Sequence, residues 1–394
     1  MIMKITHTIP LLTKGGAERV AADLANYAVS SGHEVTIIAA YPVDAAQLSG
    51  TLHPSVKIVY VSDKMPHTRW SLYISVFPWI WRNRKWLAQQ DILHCHLTYG
   101  VAFGTLAHFM FAVLRCKRPA IIETYHSVGM SIPASLQWAH ARLAEHFDAF
   151  VLMAEDKYWG EFTKRRPSLL SAIIYNGISF QRLTDVDLIA RERYRREVGI
   201  PDNCRYIVGA VGRLRPDRKP WLYLPIFAYI ANALGSDVHF IIGGDGPEYD
   251  NMRSLINKYG LDKQVHMPGL ILDSRLPLSI MDIYITLNVG PVTGIAALEA
   301  AYLKIPVLAI QLRNDYKARP KDWIWSEKNL SKVASETIKL LRDQAKRRVL
   351  SSQQAEYIRS HHTVESMAKA YEDLYKVALD RLRSSGKSMK RQAL

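Results

Sequence analysis

Two cations stand close together in VGRLRPDRKP, Val211 to Pro220, where Arg213 leaves an apolar run and Lys219 follows six residues later. A guanidinium and an ammonium at the carboxyl end of a buried strand can neutralise and hydrogen-bond a diphosphate. In NVGPVTGIAALEAAYLKIPVLA, Asn288 to Ala309, a glycine-bearing loop enters a helix that carries Glu299. A carboxylate in the second turn of that helix could accept hydrogen bonds from a ribose, although the helix dipole alone also favours glutamate near a helix start. Gly15 and Gly16 stand side by side in TIPLLTKGGAERV, where an apolar strand hands over to a helix. Glycine there supplies either a turn that other residues make only with strain, or a helix start whose bare N–H groups meet a ligand. Gly243, Gly244 and Gly246 in IIGGDGPEYDNM make another such junction, with Asp245 suited to capping and Pro247 to the first helical turn. His126, in TYHSV, follows an apolar strand, a place where a lone histidine is more often structural than chemical.

Positioning these groups requires a regular frame, and the chain supplies one. Strands are expected at Lys4–Ile9, Glu34–Ala40, Val56–Val61, Asp91–Cys95, Ala120–Thr124, Ala149–Ala154 and Ala172–Tyr175, with helical windows between several of them. The pattern lapses from Asp185 to Asn203 and restarts with strands at Tyr206–Val211, Val238–Gly243, Val265–Met267, Ile283–Leu287 and Pro306–Ile310. A long polar helix after Thr363 carries Met367, Tyr371, Leu374 and Val377 at helical spacing. This alternation predicts two α/β, doubly wound domains with helices on both faces of parallel sheets. The expected division is 1–200, 201–362 and a C-terminal helix with basic tail at 363–394. Ligands bind such sheets beyond the carboxyl ends of the strands, so a cleft between facing domains is the expected site.

The totals narrow the class. At 394 residues two domains are the natural expectation, and 48% hydrophobic with 22% charged residues describes a folded protein. Met1 to Ile9 reads as a strand rather than a signal peptide, and three cysteines in no metal or redox spacing fit a reducing cytosol. The net charge of +15 points to an anionic partner: nucleic acid, an anionic membrane surface or a phosphorylated small molecule. No nucleic-acid module is evident, so nucleic acid is not expected. From Lys64 to Gln90 there is no acidic residue, while Arg69, Arg82, Arg84 and Lys85 surround Trp70, Trp79, Trp81 and Trp86; the tail after Asp380 is also basic. Aromatics among cations suit the headgroup layer of an anionic bilayer, the alternative being a helix that buries its tryptophans and solvates its arginines. Leu97 to Leu114 has spanning length without a formal charge, yet it follows the strand pattern DILHCH and contains Gly100, Gly104 and His108, so it reads as the buried helix of a strand–helix unit. Gly15-Gly16 is not G-x-G-x-x-G, the second strand ends in no acidic residue, and the Walker pattern is missing, so ordinary dinucleotide and ATP binding are weak readings.

The set GGAER at Gly15–Arg19, GHEV at Gly32–Val35, TYHSV at Thr124–Val128, YNGI at Tyr175–Ile178, GRLxxxxK at Gly212–Lys219, GDGP at Gly244–Pro247 and LEA at Leu298–Ala300 resembles glycosyltransferase family 4. Each motif is weak alone; their order along nearly the whole chain makes the resemblance specific. It implies the GT-B fold, two Rossmann-like domains facing a central cleft, with the C-terminal helix crossing back to the N-terminal domain. The implied activity is retaining transfer of a sugar from a nucleotide-sugar donor, with no obligatory metal or other cofactor. By the same resemblance the N-terminal domain takes the acceptor and the C-terminal domain the donor. Gly15 and Gly16 lie against donor or acceptor, Arg213 and Lys219 neutralise the diphosphate leaving group, Gly244 lines the nucleotide-sugar site, Glu299 binds the ribose and His126 the transferred sugar.

One departure stands out: the family's E-x7-E has Pro291 in place of the first glutamate and Val292 where a glycine usually follows, although Gly294 is where a glycine belongs. Proline cannot accept sugar hydroxyl bonds, so the donor sugar would be held otherwise, by Thr293 and backbone groups, or transfer would be weakened. Asp185-Val186-Asp187 spells the metal-diphosphate D-x-D of another transferase fold, but it lies in a linker rather than at a strand end. His94 and His96, with His361 and His362, have no defensible metal spacing and read as structural. The expected protein is a cytoplasmic transferase, peripheral on the inner face of the cytoplasmic membrane, acting on a glycan or lipid-linked acceptor in cell-surface polysaccharide biosynthesis. A nucleotide-sugar-binding subunit for a partner transferase and a sugar-nucleotide epimerase are the alternatives.

Overall fold

The structure is a computed structural model that describes all residues except 14, 44–50, 66–68, 128–131, 289–291, 313–322, 328 and 393–394, and leaves the side chains of 69, 70, 324, 325, 327 and 385–394 undescribed. Two compact units form, one from Met1–Gly177 with Val364–Leu394 and the other from Ile178–Thr363. Residues 178–200, grouped with the first domain by the sequence reading, pack in the second unit, where Ile178, Leu183, Tyr194 and Ile200 join its core.

In the first unit, β1 (Lys4–Ile9), β2 (Glu34–Ala39), β3 (Lys57–Tyr60), β4 (Ile92–His96), β5 (Ala120–Tyr125), β6 (Ala149–Leu152) and β7 (Leu170–Ile173) form one sheet. Its order is β3-β2-β1-β4-β5-β6-β7. Every neighbouring pair is parallel. The central strands are buried along their length, as they must be when helices cover both faces. The Leu97–Leu114 helix is long and apolar enough to cross a membrane. Half of it is nevertheless buried, and it packs on β1, β4 and β5. Close approach depends on two glycines: a Cβ at Gly100 would lie 2.8 Å from the Thr8 carbonyl oxygen, and one at Gly104 2.6 Å from Cys95 Sγ. Phe103 of this helix is fully buried, against Trp79, a burial that contributes about 2–3 kcal/mol.

The Val364–Gln392 helix returns to this unit and packs on β5 and on the Gly16–Ser30 helix. Its buried face is Met367, Tyr371, Tyr375, Ala378 and Leu379. The stripe expected through Leu374 and Val377 is displaced by one residue, with Val377 exposed, because two buried tyrosine hydroxyls find partners on the sheet: Tyr371 with Thr124 at 2.8 Å and Tyr375 with His94 at 2.7 Å.

The second unit carries β8 (Tyr206–Val211), β9 (Val238–Gly243), β10 (Val265–His266), β11 (Ile283–Asn288), β12 (Val307–Gln311) and β13 (Ile324–Glu327) in the order β10-β9-β8-β11-β12-β13. All pairs are again parallel. β13 adds an edge strand that the sequence reading lacked. Both sheets reverse their strand order once, between β1 and β4 and between β8 and β11. At such reversals the adjoining loops part and leave a crevice beyond the carboxyl strand ends.

Candidate functional site

The second unit brings Arg213, Lys219, Gly244, Thr293 and Gly294 into loops beyond the carboxyl ends of β8, β9 and β11, and Glu299 into the helix that follows β11, on the two sides of its reversal. The β8–β9 pairing continues past both strands. Gly212 N donates to Gly243 O at 2.9 Å, Leu214 N to Asp245 O at 3.0 Å, and Glu248 N to Leu214 O at 3.0 Å. The cation-bearing loop is thus tied down on the glycine-rich loop. Such contact leaves no room for side chains: at Gly244 (φ +137°) a Cβ would overlap the Gly212 carbonyl oxygen and lie 2.9 Å from its carbon. Gly246 (φ +152°) meets the Leu214 carbonyl in the same way. Asp245 does not cap the following helix. Its Oδ1 accepts from Gly246 N at 2.7 Å, and the helix begins at Tyr249 with no side-chain cap bond. The reason is the tight loop itself, which turns the Asp245 carboxylate back onto its neighbour's amide.

Arg213 and Lys219 are both solvent-exposed. Lys219 adopts φ 50°, ψ 51° between two short 3-10 turns, a left-handed conformation costly for a residue with a Cβ and found preferentially where function fixes the backbone. Across the reversal, Gly294 caps the Ile295–Tyr302 helix without a side-chain bond, and Thr293 is buried at its mouth. Pro291 lies outside the described residues.

Glu299 is buried in the second turn of this helix and pairs with Arg182, whose Nη2 donates to Oε1 at 2.9 Å. Arg182 ends the Phe180–Arg182 turn, which is held in place by Phe180 stacked on Tyr302 with ring centres 4.2 Å apart and planes 8° from parallel. Sequence reasoning missed Arg182, because the pair spans 117 residues and no local spacing reports it.

In the first unit Gly15 precedes the Gly16–Ser30 helix with φ −91° and ψ 165°, extended backbone open to any residue. A turn conformation therefore does not explain glycine at Gly15. The helix has no side-chain cap, but buried Glu18 already sits in its first turn and accepts from the Thr13 hydroxyl at 3.1 Å. A carboxylate there offsets the positive helix end, so the loop suits a neutral hydroxyl better than a diphosphate.

His126 follows β5, and its Nε2 lies 3.0 Å from Nδ1 of His96 at the end of β4. His96 Nε2 lies 3.0 Å from Nδ1 of His7 on β1. Burial lowers His126 and His7 each to about 3, and holds His94 and His96 well below the ordinary imidazole range, so all four are neutral. His94 and His96 are hydrogen-bonded at both ring nitrogens, in keeping with a structural reading, and His7 joins them without any local signal on its own strand. The legible signal was H-x-H in β4: period two puts both rings on one sheet face, beside a strand carrying a third.

On the same unit, the Val76–Leu87 helix divides the expected tryptophans. Trp79 and Trp86 pack edge to face at 6.3 Å, Trp79 also meeting Phe103, whereas Phe77 and Trp81 are exposed beside Arg82 and Lys85. The Arg84 guanidinium lies 4.5 Å over the Trp81 ring. Asp187 of the D-x-D triplet caps the Leu188–Glu197 helix by accepting from Ala190 N at 2.8 Å, a structural task.

Two family models match successive parts of the chain: "Glycosyltransferase Family 4" over residues 14–182 and "Glycosyl transferases group 1" over residues 190–357. Among curated proteins, the chain is 27% identical over 249 residues to alpha-D-kanosaminyltransferase of Streptomyces kanamyceticus, covering 59% of this chain and 62% of that protein. It is 26% identical over 266 residues, 66% of each chain, to an alpha-1,4-N-acetyl-D-galactosaminyltransferase of Campylobacter jejuni whose name includes GalNAc-alpha-(1->4)-GalNAc-alpha-(1->3)-diNAcBac-PP-undecaprenol. The chain therefore spans less than two thirds of the length of either relative. The structure of Anabaena HepE in complex with UDP and glucose superposes with a TM-score of 0.74 at 16% identity, covering 95% of this chain and 99% of that one. At that identity the likeness establishes the fold, which is GT-B.

Proposed function

The chain belongs to glycosyltransferase family 4, and from that premise we propose that it is a retaining enzyme that moves a sugar from a nucleotide-diphosphate donor to a hydroxyl of a glycan or lipid-linked acceptor, in cell-surface polysaccharide biosynthesis. The observation that carries the donor assignment is the braced loop of the second unit, where Gly244 holds the Arg213–Lys219 segment against β9 at a strand-order reversal. Arg213 and Lys219 take the diphosphate, the Arg182–Glu299 pair the ribose, and Thr293 with the Gly294 backbone stands in for the missing first glutamate. His126 hydrogen-bonds the transferred sugar, and Gly15 and Gly16 leave room for the acceptor.

In this reading the bond from the anomeric carbon to the diphosphate oxygen breaks while the acceptor oxygen bonds to the same face of that carbon. The acceptor proton passes to a donor phosphate oxygen. Negative charge grows on the departing diphosphate, where Arg213 and Lys219 stabilise it, and a cation fixed in advance at that position lowers the barrier. These two side chains supply the charge that a metal would otherwise provide, so no obligatory metal is proposed. The relatives' names, an N-acetylgalactosaminyltransferase with an undecaprenol-linked glycan among them, support a lipid-linked acceptor.

Exposed Phe77 and Trp81 beside Arg82 and Lys85 support docking on the anionic inner face of the cytoplasmic membrane. Replacing both cations by alanine should weaken liposome binding by about 2 kcal/mol, or ~30-fold, at about 1 kcal/mol per basic residue. Unchanged binding to phosphatidylglycerol-containing vesicles would contradict this placement.

Transfer itself is tested with radiolabelled nucleotide sugars and lipid-linked acceptors, the product's anomeric configuration being read by NMR. Retained configuration supports the proposal. Donor binding without transfer would favour a binding subunit, a role Pro291 motivates, and donor turnover without acceptor would favour an epimerase.

A further inference from the structure

The histidines of the first unit form a chain with defined ends. β1 pairs with β4 so that His7 stands opposite His94, and β4 pairs with β5 so that His96 stands opposite Thr124. His7 Nδ1 meets His96 Nε2, and His96 Nδ1 meets His126 Nε2, each at 3.0 Å. His7 Nε2 is buried with no partner, and among the described residues Nδ1 of His126 makes no hydrogen bond. Neighbouring His94 does not join the chain: Thr124 Oγ1 and Tyr375 Oη, each at 2.7 Å, occupy its two nitrogens. The ring nitrogens of His7, His94 and His96 lie close enough together to hold a cation. Ligation through one nitrogen of each ring would cost His94 one of its two hydrogen bonds and His96 one of its two, so hydrogen bonding accounts better for the arrangement.

A neutral imidazole has one N–H and one lone pair. Two N–H groups cannot face each other at 3.0 Å, and two facing lone pairs repel, so the three rings must share one direction. If His7 accepts, its Nε2 carries a buried N–H without a partner, a situation rare in folded proteins. If His7 donates through Nδ1, the unpaired atom is a lone pair. His96 then donates onward from its own Nδ1, and His126 is left with its hydrogen on Nδ1. A buried donor without a partner forfeits its full desolvation cost, which exceeds the mild Nε2–H preference of free imidazole.

We propose that His7 and His96 are positioning residues: they lock His126 in the neutral Nδ1–H tautomer, so that it presents the transferred sugar with a hydrogen-bond donor. The sugar contact rests on the function proposed above; the tautomer does not. The donor selects a sugar oxygen that can accept, and His126 keeps this role throughout the neutral and mildly acidic range, because burial disfavours the imidazolium.

The experiment uses the full chain labelled with 15N-histidine. Long-range proton–nitrogen correlation spectra at pH 7 report which ring nitrogen of each histidine is protonated, and His126→Asn assigns the signal. The expected result is a single Nδ1–H form of His126 in the wild type and a mixture of both tautomers in His7→Phe. The same variant should lose sugar-transfer kcat/KM in proportion to the Nδ1–H fraction lost, about twofold for an even mixture of tautomers. His96→Gln, which can donate or accept, decouples the chain even if His7→Phe fails to fold, and should give the same mixture. An Nε2–H form in the wild type, or an unchanged tautomer in the folded variants, overturns the relay. Absence of transfer beside a fixed Nδ1–H tautomer would instead count against the transferase reading and leave the relay standing.

Discussion

Gly244→Ala and Gly212→Ala, two substitutions a hydrogen-bonded loop apart, should behave oppositely. At Gly244 the new methyl would sit on the Gly212 carbonyl, and the backbone φ of +137° is one that alanine rarely adopts. Strain of that kind costs about 1–3 kcal/mol, and forcing extra volume into packed backbone costs about 1–3 more. The sum is about 2–6 kcal/mol, a large part of an ordinary domain's stability. At Gly212 a Cβ meets nothing within 4 Å, so alanine should change stability by about 0.5 kcal/mol or less. Urea unfolding of both variants gives the two numbers, and calorimetry with the bound nucleotide sugar gives a second readout. Gly244→Ala should lose nucleotide affinity together with stability, because displacing the Gly212 carbonyl moves Arg213 and Lys219. Equal stability of the two variants would refute the view that the glycine-rich loop is a brace for the cations.

Two further outcomes follow from buried charge. His7 is held at about 3 when folded and returns to 6.5 when unfolded, so below pH 6.5 the unfolded chain takes up a proton that the native one refuses. That contribution is present above 6.5 and lost as the pH falls toward 3; from 6.5 to 5 it amounts to about 2 kcal/mol. Unfolding at pH 7 and pH 5 should therefore show a smaller acid loss in His7→Phe than in the wild type, and equal losses would count against the assigned burial effect. Arg182→Met strips the partner from buried Glu299 and should cost about 3 kcal/mol in urea unfolding, a cost within 0.5 kcal/mol of zero being incompatible with the pair as described.

The frame was legible where residues carry local signals. Continuous apolar runs such as YIVGAV and VHFIIG became β8 and β9 with unshifted ends. The edges were less so: β7 covers Leu170–Ile173 rather than Ala172–Tyr175, because a half-exposed edge strand lacks the two-sided burial that marks its ends. β13, IWSE, is four residues long and mixes apolar with polar types, too little pattern to register. The candidate site residues Arg213 and Lys219, on a strand-end loop, and Glu299, in the helix after β11, could be placed on the fold from sequence because each follows a recognisable strand. Arg182 could not, since it matters only through Glu299 far along the chain, and His7 becomes legible only when its strand is set beside the H-x-H of β4.

The central claim is a nucleotide-diphosphate site built on Arg213. Isothermal titration of the chain with UDP-, GDP-, ADP- and TDP-sugars tests it directly. One donor should bind with Kd of about 1 mM or tighter, and Arg213→Ala should weaken it about tenfold or more, as loss of a charged hydrogen bond requires. No binding by any of the four, or equal affinity in Arg213→Ala, would contradict the account.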